Sequence, residues 1–348
     1  MLDNYTFYQY LDFVGNDIDY LPNKTITELS DLCDDMDNCM GFNTLGWIKH
    51  SIDTNLLRPL YGMRNQQDGI YIKNMEPVLN KKKKQLLDIK NNNIDTGYDI
   101  TFTITTCKRL KLFIETINRL LINCQNVELI KYWVCIDDNS DENDRKIMQE
   151  TFPFFTFIWK TSEEKGHVNS MNMLWLSIKT KYVLHFEDDW MCGKPFNLKT
   201  IMDNFIVKNY DMLTLRKIGW ADDHIPESIC DNNTIYNYIY NARHRNKPEI
   251  NVEYDETMYD SNGFEYQYQD DQHWWWPGFT LNPSIYNFEK IKNVIGLFND
   301  NIEQELFEYD YALRCYYNNL KTRYIDLNIN HTGFISSYTL NDMKRYYD

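Results

Sequence analysis

Tyr182-Val183-Leu184-His185-Phe186-Glu187-Asp188-Asp189-Trp190 is the stretch that decides how the rest of the chain is read. Its first five residues form an almost unbroken apolar, β-prone run, the pattern of a strand covered on both faces of a parallel sheet. Three carboxylates follow at once. A buried strand ending in Glu-Asp-Asp delivers acids to the carboxyl edge of a sheet, where open α/β folds bind their ligands. Adjacent anions repel one another, so the cluster calls for a cation among them, and hard oxygen donors suit Mn²⁺ or Mg²⁺. The competing reading is a solvated acidic turn, which would ordinarily carry Gly, Pro or Asn rather than the Trp at position 190.

Upstream of this stretch, strands and helices alternate. Asp99 to Thr106 is β-branched and reads as a strand. Lys108 to Cys124 puts Leu110, Phe113, Ile114, Ile117, Leu120 and Leu121 at helical spacing. Tyr132 to Ile136 is a second buried strand closed by Asp137-Asp138-Asn139-Ser140, and Asp141 to Glu150 a short polar helix. Phe154 to Trp159 is a third strand, and Val168 to Ile178 a helix with Met171, Leu174, Trp175 and Ile178 on one face. Strands separated by helices of this length imply right-handed crossovers and a parallel sheet.

Composition excludes several classes. At 348 residues and 43% hydrophobic content the chain can bury a sizeable core, and its length allows about two domains. No stretch approaches the ~18 consecutive apolar residues of a membrane span, and no basic-then-apolar leader opens the sequence. A formal charge of −15 argues against nucleic acid as a partner, though not against a nucleotide held through a metal. The eight cysteines are scattered, with Cys107, Cys135, Cys192 and Cys315 in or beside predicted core elements, which reads as reduced thiols and a cytoplasmic location. The sequons at Asn4, Asn23, Asn232 and Asn330 read as chance matches in an Asn-rich chain, of the kind an AT-rich genome such as that of a large DNA virus or a protist encodes.

Residues 1–76 form the first unit. A helical pattern from Thr27 runs into Cys33-Asp-Asp-Met-Asp-Asn-Cys39-Met-Gly41-Phe42-Asn43, and Gly69-Ile70-Tyr71-Ile72-Lys73 closes the unit as a strand. This order resembles a small PAN/Apple-type module, which implies an α+β unit binding a glycan or a protein; a stabilising cap with no ligand is the alternative. Lys81 to Lys84 and Asn91-Asn92-Asn93 mark residues 77–97 as a solvated linker.

The ordered series in residues 98–348 carries a second resemblance. Thr105-Thr106-Cys107-Lys108-Arg109, then Asp137-Asp138-Asn139-Ser140, then Lys165-Gly166-His167-Val168-Asn169, then Glu187-Asp188-Asp189 is similar to the nucleotide-sugar half of a GT-A glycosyltransferase of the family 2 type. The fold that this implies is Rossmann-like α/β, a mostly parallel sheet with flanking helices. The resemblance implies that Thr105, Thr106, Arg109, Asp137, Asp138, Lys165, Asn169, Glu187 and Asp188 meet the donor nucleotide. Glu187 and Asp189 would hold the metal, as the motif's usual DxD does, with Glu in place of the first Asp. The aromatic stretch His273 to Thr280 would meet sugars through Trp275, Trp276 and Gly278, since flat rings stack on sugar faces.

Glu303 to Asn319 reads as a helix with Leu306, Tyr309, Leu313, Tyr316 and Leu320 in a buried stripe. The family's acidic pair falls on Glu308 and Asp310. Glu308 is the candidate general base, while Asp310 is placed equally well to pair with Arg314. After a last strand, Tyr324 to Ile329, His331 stands where such enzymes return a loop to the metal. The expected activity is metal-dependent transfer of a sugar, from a UDP-sugar foremost, to a glycan or protein-linked acceptor, with inversion. Two rivals share the pattern: a glycan-binding or scaffold protein on a decayed transferase fold, and a sugar nucleotidyltransferase.

Overall fold

Every residue of Ile100–Thr106 is β-branched or aromatic, every one is buried, and among the described residues this strand lies inside an eight-stranded sheet. The structure is a computed structural model that describes residues 2, 4–36, 38–50, 52, 56–60, 68–215, 235–236, 278–301, 307–320, 322–325 and 327–332. Ile100–Thr106 pairs in parallel with Tyr132–Asp137 on one side and Tyr182–Glu187 on the other, and Tyr132–Asp137 pairs in parallel with the edge strand Thr156–Trp159. Beyond Tyr182–Glu187 the sheet turns antiparallel at Ser284–Asn287, then continues through Met212–Thr214, Thr322–Ile325 and Ile235–Tyr236. The chain is therefore α/β with a parallel-rich sheet and flanking helices, as the alternation of elements predicts.

The two-residue period of a strand sorts its side chains between two cores. Phe102, Ile104, Cys135, Leu184 and Phe186 enter one core with helix Leu110–Asn123. Val134, Ile136 and Val183 enter the other with helix His167–Ser177, whose Met171, Leu174 and Trp175 are buried as predicted. Register then sets the functional edge, because Asp137 stands opposite Thr106 and Glu187 opposite Thr105. Three strand ends thus emerge side by side.

The first unit is α+β, as expected, but with more strands than its sequence announces. Tyr5–Gln9, Gly69–Lys73, Gly41–Asn43, Trp47–Lys49 and Asp17–Tyr20 form, in that order, an antiparallel sheet. Helix Ile26–Asp35 opens with a capping box, Thr25 Oγ1 accepting from Glu28 N at 3.2 Å and Glu28 Oε2 accepting from Thr25 N at 2.8 Å. It lays Leu29 and Cys33 on Phe42 and Ile48. Cys33 and Cys39 are disulfide-bonded, their Cα atoms 5.2 Å apart, which corrects the expectation that the thiols are reduced throughout. Cys107, Cys124, Cys135, Cys192 and Cys315 are free. Cysteine usage therefore assigns no compartment.

The linker expected at 77–97 is also corrected. Residues Glu76–Asn92 form a helix of 17 residues, closed by Asn93 in the left-handed conformation at φ 45°. Leu86 and Ile89 belong to the same core as the large sheet. Lys82, taken as part of a solvated charge run, is buried and donates to Leu121 O at 2.8 Å, and Lys90 Nζ donates to Phe155 O at 2.6 Å. The lysine stems snorkel along apolar surface and their ammonium groups satisfy carbonyls at helix and strand ends.

Candidate functional site

Asp188 and Asp189 leave the end of Tyr182–Glu187 in different surroundings. Asp188 is fully buried: Thr106 Oγ1 donates to its Oδ2 at 2.6 Å, Arg109 Nε donates to the same oxygen at 3.2 Å, and Arg109 Nη2 pairs with Oδ1. Thr116 Oγ1 fixes the Asp188 carbonyl at 2.8 Å. Burial pushes this carboxyl up, and the Arg109 charge opposes that push. Asp189 takes Arg109 Nη1 at 2.7 Å and His331 Nε2 at 3.2 Å, both on Oδ2. Burial acts to raise its carboxyl, but His331 and Arg109 outweigh that effect and hold it below the usual range. Strand Ile329–His331 pairs with Trp190–Cys192, so His331 is delivered directly opposite Trp190. The His331 prediction from sequence is thereby placed at the acid cluster.

Glu187 keeps 24% of its side chain exposed and has His167 Nε2 at 3.7 Å from Oε1. Burial pushes the Glu187 carboxyl up to about 8, with the charges of Asp189 and Glu308 adding to the push. Burial holds the His167 imidazole down at about 4. Both shifts favour the neutral forms, which makes this 3.7 Å contact weak as an ion pair.

At the neighbouring strand end, Asp137 is turned inward. Its Oδ2 accepts Ser140 N at 3.0 Å and Arg145 Nε at 2.7 Å, which shapes the loop before helix Glu142–Thr151. Asp138 faces the edge, pairs with Lys160 Nζ at 3.0 Å and accepts Gly166 N at 3.0 Å. Thr105 is buried opposite Ile136 and Glu187, Asp138 N donates to Thr106 O at 2.8 Å, and Cys107 Sγ donates to Asp138 O at 3.1 Å. Of the two polar residues expected from the following loop, both are exposed, and Asn169 Nδ2 donates to Glu164 O at 2.5 Å. The buried cation here is Lys160, one residue past strand Thr156–Trp159, also bonded to Gly166 O at 2.9 Å and Ser170 Oγ at 2.7 Å. Sequence reasoning missed Lys160. Its place at a strand end, on the same edge as the acids, was the available signal.

Helix Phe307–Tyr317 is described from its residue 307, and its buried face carries Phe307, Tyr311, Ala312 and Cys315 rather than the predicted Tyr309, Leu313 and Tyr316. The aromatic partners set this phase, because Phe298 and Phe279 lie 4.0 and 4.6 Å from Tyr311, ring centre to ring centre. That phase puts Glu308 on the flank of the core, where Oε1 accepts Leu281 N at 2.7 Å and Thr280 Oγ1 at 3.0 Å. Asp310 instead binds Arg314 Nε at 2.9 Å, the helical pairing that was its alternative role. Gly278 has φ +110°, and a Cβ there would stand 2.9 Å from Thr322 Oγ1, so backbone strain and strand packing account for the glycine. Trp275 and Trp276 lie outside the described residues.

Among the described residues no three His, Cys, Asp or Glu side chains already surround one point. The donor set nevertheless fits a divalent ion. Asp189 Oδ1 is buried with no hydrogen-bond partner, Glu187 is short of positive charge, and His331 Nε2 borders the same carboxylate. Oxygen donors with one imidazole suit Mn²⁺.

No family model matches the chain. Over 98 residues it is 36% identical to a protein named "Putative fucosyltransferase R654" from Acanthamoeba polyphaga mimivirus, a match spanning 25% of this chain and 16% of that protein's length. Among solved structures, a mannosyltransferase of Pyrobaculum calidifontis in complex with GDP-Man and Mn²⁺ superposes with a TM-score of 0.41 at 10% identity, covering 71% of this chain and 60% of its own. S. aureus TarS 1–349 in complex with UDP-GlcNAc gives 0.42 at 15% identity, covering 66% and 56%. Among the described residues no helix is long and apolar enough to cross a membrane.

Proposed function

We propose that this chain is a metal-dependent glycosyltransferase of the GT-A type, moving a sugar from a nucleotide-sugar donor, a UDP-sugar foremost, to a glycan or protein-linked acceptor with inversion. One observation carries this reading: the ends of three parallel strands, Thr105-Thr106, Asp137-Asp138 and Glu187-Asp188-Asp189, converge on one edge. The sequence relative named a fucosyltransferase supports sugar transfer.

In an inverting transfer the acceptor oxygen bonds to the anomeric carbon as the bond from that carbon to the diphosphate oxygen breaks. Glu308 takes the acceptor proton, because Leu281 N and Thr280 Oγ1 hold its Oε1 and so fix the carboxylate on the flank of the core. Asp138, held by Lys160 and Gly166 N, accepts hydrogen bonds from the ribose or base. Glu187, Asp189 and His331 hold Mn²⁺ or Mg²⁺, which when bound supplies positive charge to the departing diphosphate. Asp188, buried against Thr106 and Arg109, positions Asp189 rather than touching the donor. The first unit serves as a PAN/Apple-like accessory module for a glycan or protein ligand.

The test is a screen of UDP- and GDP-linked sugars for hydrolysis with and without Mn²⁺. Metal-dependent release of nucleoside diphosphate is the expected result. Pyrophosphate release from a nucleoside triphosphate would instead make the chain a nucleotidyltransferase. A Mn²⁺- and UDP-dependent rise in thermal midpoint with no turnover would leave a binding protein.

A further inference from the structure

Helix Leu110–Asn123 buries one face in the main core and with another lines a groove of about 550 Å³. Lys111, Glu115, Asn118 and Ile122 recur there at intervals of three and four residues, which sets them in one row along the helix. Leu79 of helix Glu76–Asn92 faces the same groove, and Met40 of the first unit lines the end at Arg119, whose Nη1 meets Met40 Sδ at 3.4 Å. Cations stand at both ends. Lys108 and Lys111 flank the start of the helix beside Arg109, and Arg119 follows Lys111 by eight residues, a rise of about 12 Å. Near Arg119 the first unit also brings His50, which is 5% exposed and whose Nδ1 has no hydrogen-bond partner among the described residues. Burial holds the His50 imidazole down, and the charges of Lys194 and Arg119 add to that effect while Asp17 opposes it. Between the ends the lining is aliphatic, from Leu79, Ile114 and Ile122, with Asn118 Oδ1 buried among them and unpartnered. The acids of the lining are Glu115 and Asp144.

We propose that this groove, at the boundary between the first unit and the sheet-bearing unit, anchors an acidic glycan bearing carboxylate or phosphate groups, and that this glycan is the acceptor. The ligand's role as acceptor rests on the transferase reading above, whereas its binding does not. A groove of this volume falls within the range of about 300–1,000 Å³ usual for ligand clefts, which pair apolar walls with a few placed polar groups. Its excess of cations stands out in a chain of formal charge −15. An anionic lipid would gather the cations at one end and leave the other apolar. Cations at both ends suit instead an extended chain that repeats its acids. Lys111 and Arg119 pair with carboxylate or phosphate, the C–H faces of sugar rings lie on Ile114 and Leu79, and Asn118 Oδ1 accepts a hydroxyl proton. A glycan held there is tethered at the end of the helix where Arg109 meets Asp188 and Asp189, which raises its effective concentration beside the proposed transfer site.

Calorimetric titration of the full chain, without metal or nucleotide sugar, compares oligogalacturonate, a phosphorylated mannan oligosaccharide, an uncharged cello-oligosaccharide of the same length, and polyglutamate. An acidic oligosaccharide should bind at least about tenfold more tightly than the uncharged one, the effect of one charge-assisted hydrogen bond or more. The better of the two acidic probes tells carboxylate from phosphate. Lys111→Gln and Arg119→Gln should each weaken that binding by about tenfold and leave metal-dependent donor hydrolysis unchanged. Lys111 is exposed, so its variant decides the matter if Arg119→Gln, which loses the Met40 contact, does not fold. Equal binding of acidic and uncharged sugars, unchanged binding of the acidic sugar by Lys111→Gln, or no binding of either acidic probe overturns the proposal. Polyglutamate bound as tightly as the acidic sugars overturns a glycan ligand and makes the groove a peptide face. Absence of donor hydrolysis in the wild type, with acidic-sugar binding intact, overturns the transferase reading and leaves the groove a glycan site.

Discussion

Replacing Glu308 with Gln separates chemistry from structure at the proposed base. The glutamine side chain keeps an oxygen where Oε1 now accepts Leu281 N at 2.7 Å and Thr280 Oγ1 at 3.0 Å, so the turn at 280–282 retains its anchor. What is lost is charge. A hydrogen bond to a charged acceptor contributes about 1.5–3 kcal/mol and a neutral one about 0.5–1.5 kcal/mol, so the two bonds together weaken by about 2–3 kcal/mol. At about 2–4 °C per kcal/mol for a domain of this size, the midpoint should fall by about 4–12 °C. The chemical step should fall much further, by about 10²–10⁴-fold, since general-base catalysis contributes that much. Donor affinity should hold, because the lost interaction matters only when the acceptor gives up its proton. The assay is transfer rate and donor dissociation constant on the same protein, alongside Asp310→Asn. Asp310 serves a partly exposed pair with Arg314, so its loss should cost about 0.3–0.5 kcal/mol and leave the rate within tenfold. Transfer abolished in Asp310→Asn and retained in Glu308→Gln would refute the assignment of the base. Rates within tenfold for both variants would refute an inverting mechanism with its base on this helix, and a retaining transferase would take its place.

Asp189→Asn should abolish Mn²⁺-dependent nucleotide binding, followed by calorimetry, while the protein stays folded; undiminished binding removes Asp189 as a metal ligand. Leu86→Ala should destabilise the sheet-bearing unit by about 2–5 kcal/mol in denaturant titration, because Leu86 is 1% exposed in the main core. For the same reason a chain beginning at Asn74 should fold and one beginning at Asn93 should not, which soluble yield and circular dichroism would decide. Lys160→Met leaves Asp138 without its ammonium partner and should cost on the order of 3 kcal/mol while raising the KM for donor more than it lowers kcat. Gly278→Ala combines positive φ with a 2.9 Å approach to Thr322 and should lower stability by about 1–3 kcal/mol with donor affinity unchanged.

The parallel half of the sheet was legible because strands buried on both faces read as continuous apolar runs, as at Tyr132–Asp137 and Tyr182–Glu187. Tyr5–Gln9 and Asp17–Tyr20 were not, since most of their side chains are exposed or half-buried and the residues alternate without a clean apolar face. Helix Glu76–Asn92 was hidden by its own lysines: the apolar positions Leu79, Leu86 and Ile89 are few, and the charges between them look like a solvated run until Lys82 and Lys90 are seen capping carbonyls. The phase of helix Phe307–Tyr317 was missed because its sequence is apolar on more than one side, and only the packed rings of Phe279 and Phe298 select the face. Arg109 was assigned to the donor because its acid partners lie some 80 residues away along the chain, a separation that no local pattern encodes.

The division of labour among the three adjacent acids did have a signal in the sequence, in the strand period. Leu184 and Phe186 point into the core shared with helix Leu110–Asn123, and continuing that alternation one step puts Asp188 on the same side. There it meets Thr106 and Arg109 at the start of that helix, and Thr116 within it fixes the Asp188 carbonyl. Val183 points into the opposite core, and His185 on that side packs near Trp175 and Tyr286, so Glu187 falls on the face that carries helix Phe307–Tyr317 and Glu308. Asp189 lies past the strand, in the turn before Trp190–Cys192, and that turn hands it to His331. An apolar run that alternates up to its last residue therefore makes the middle acid structural, and leaves the outer two off that core, where the proposed donor site needs them.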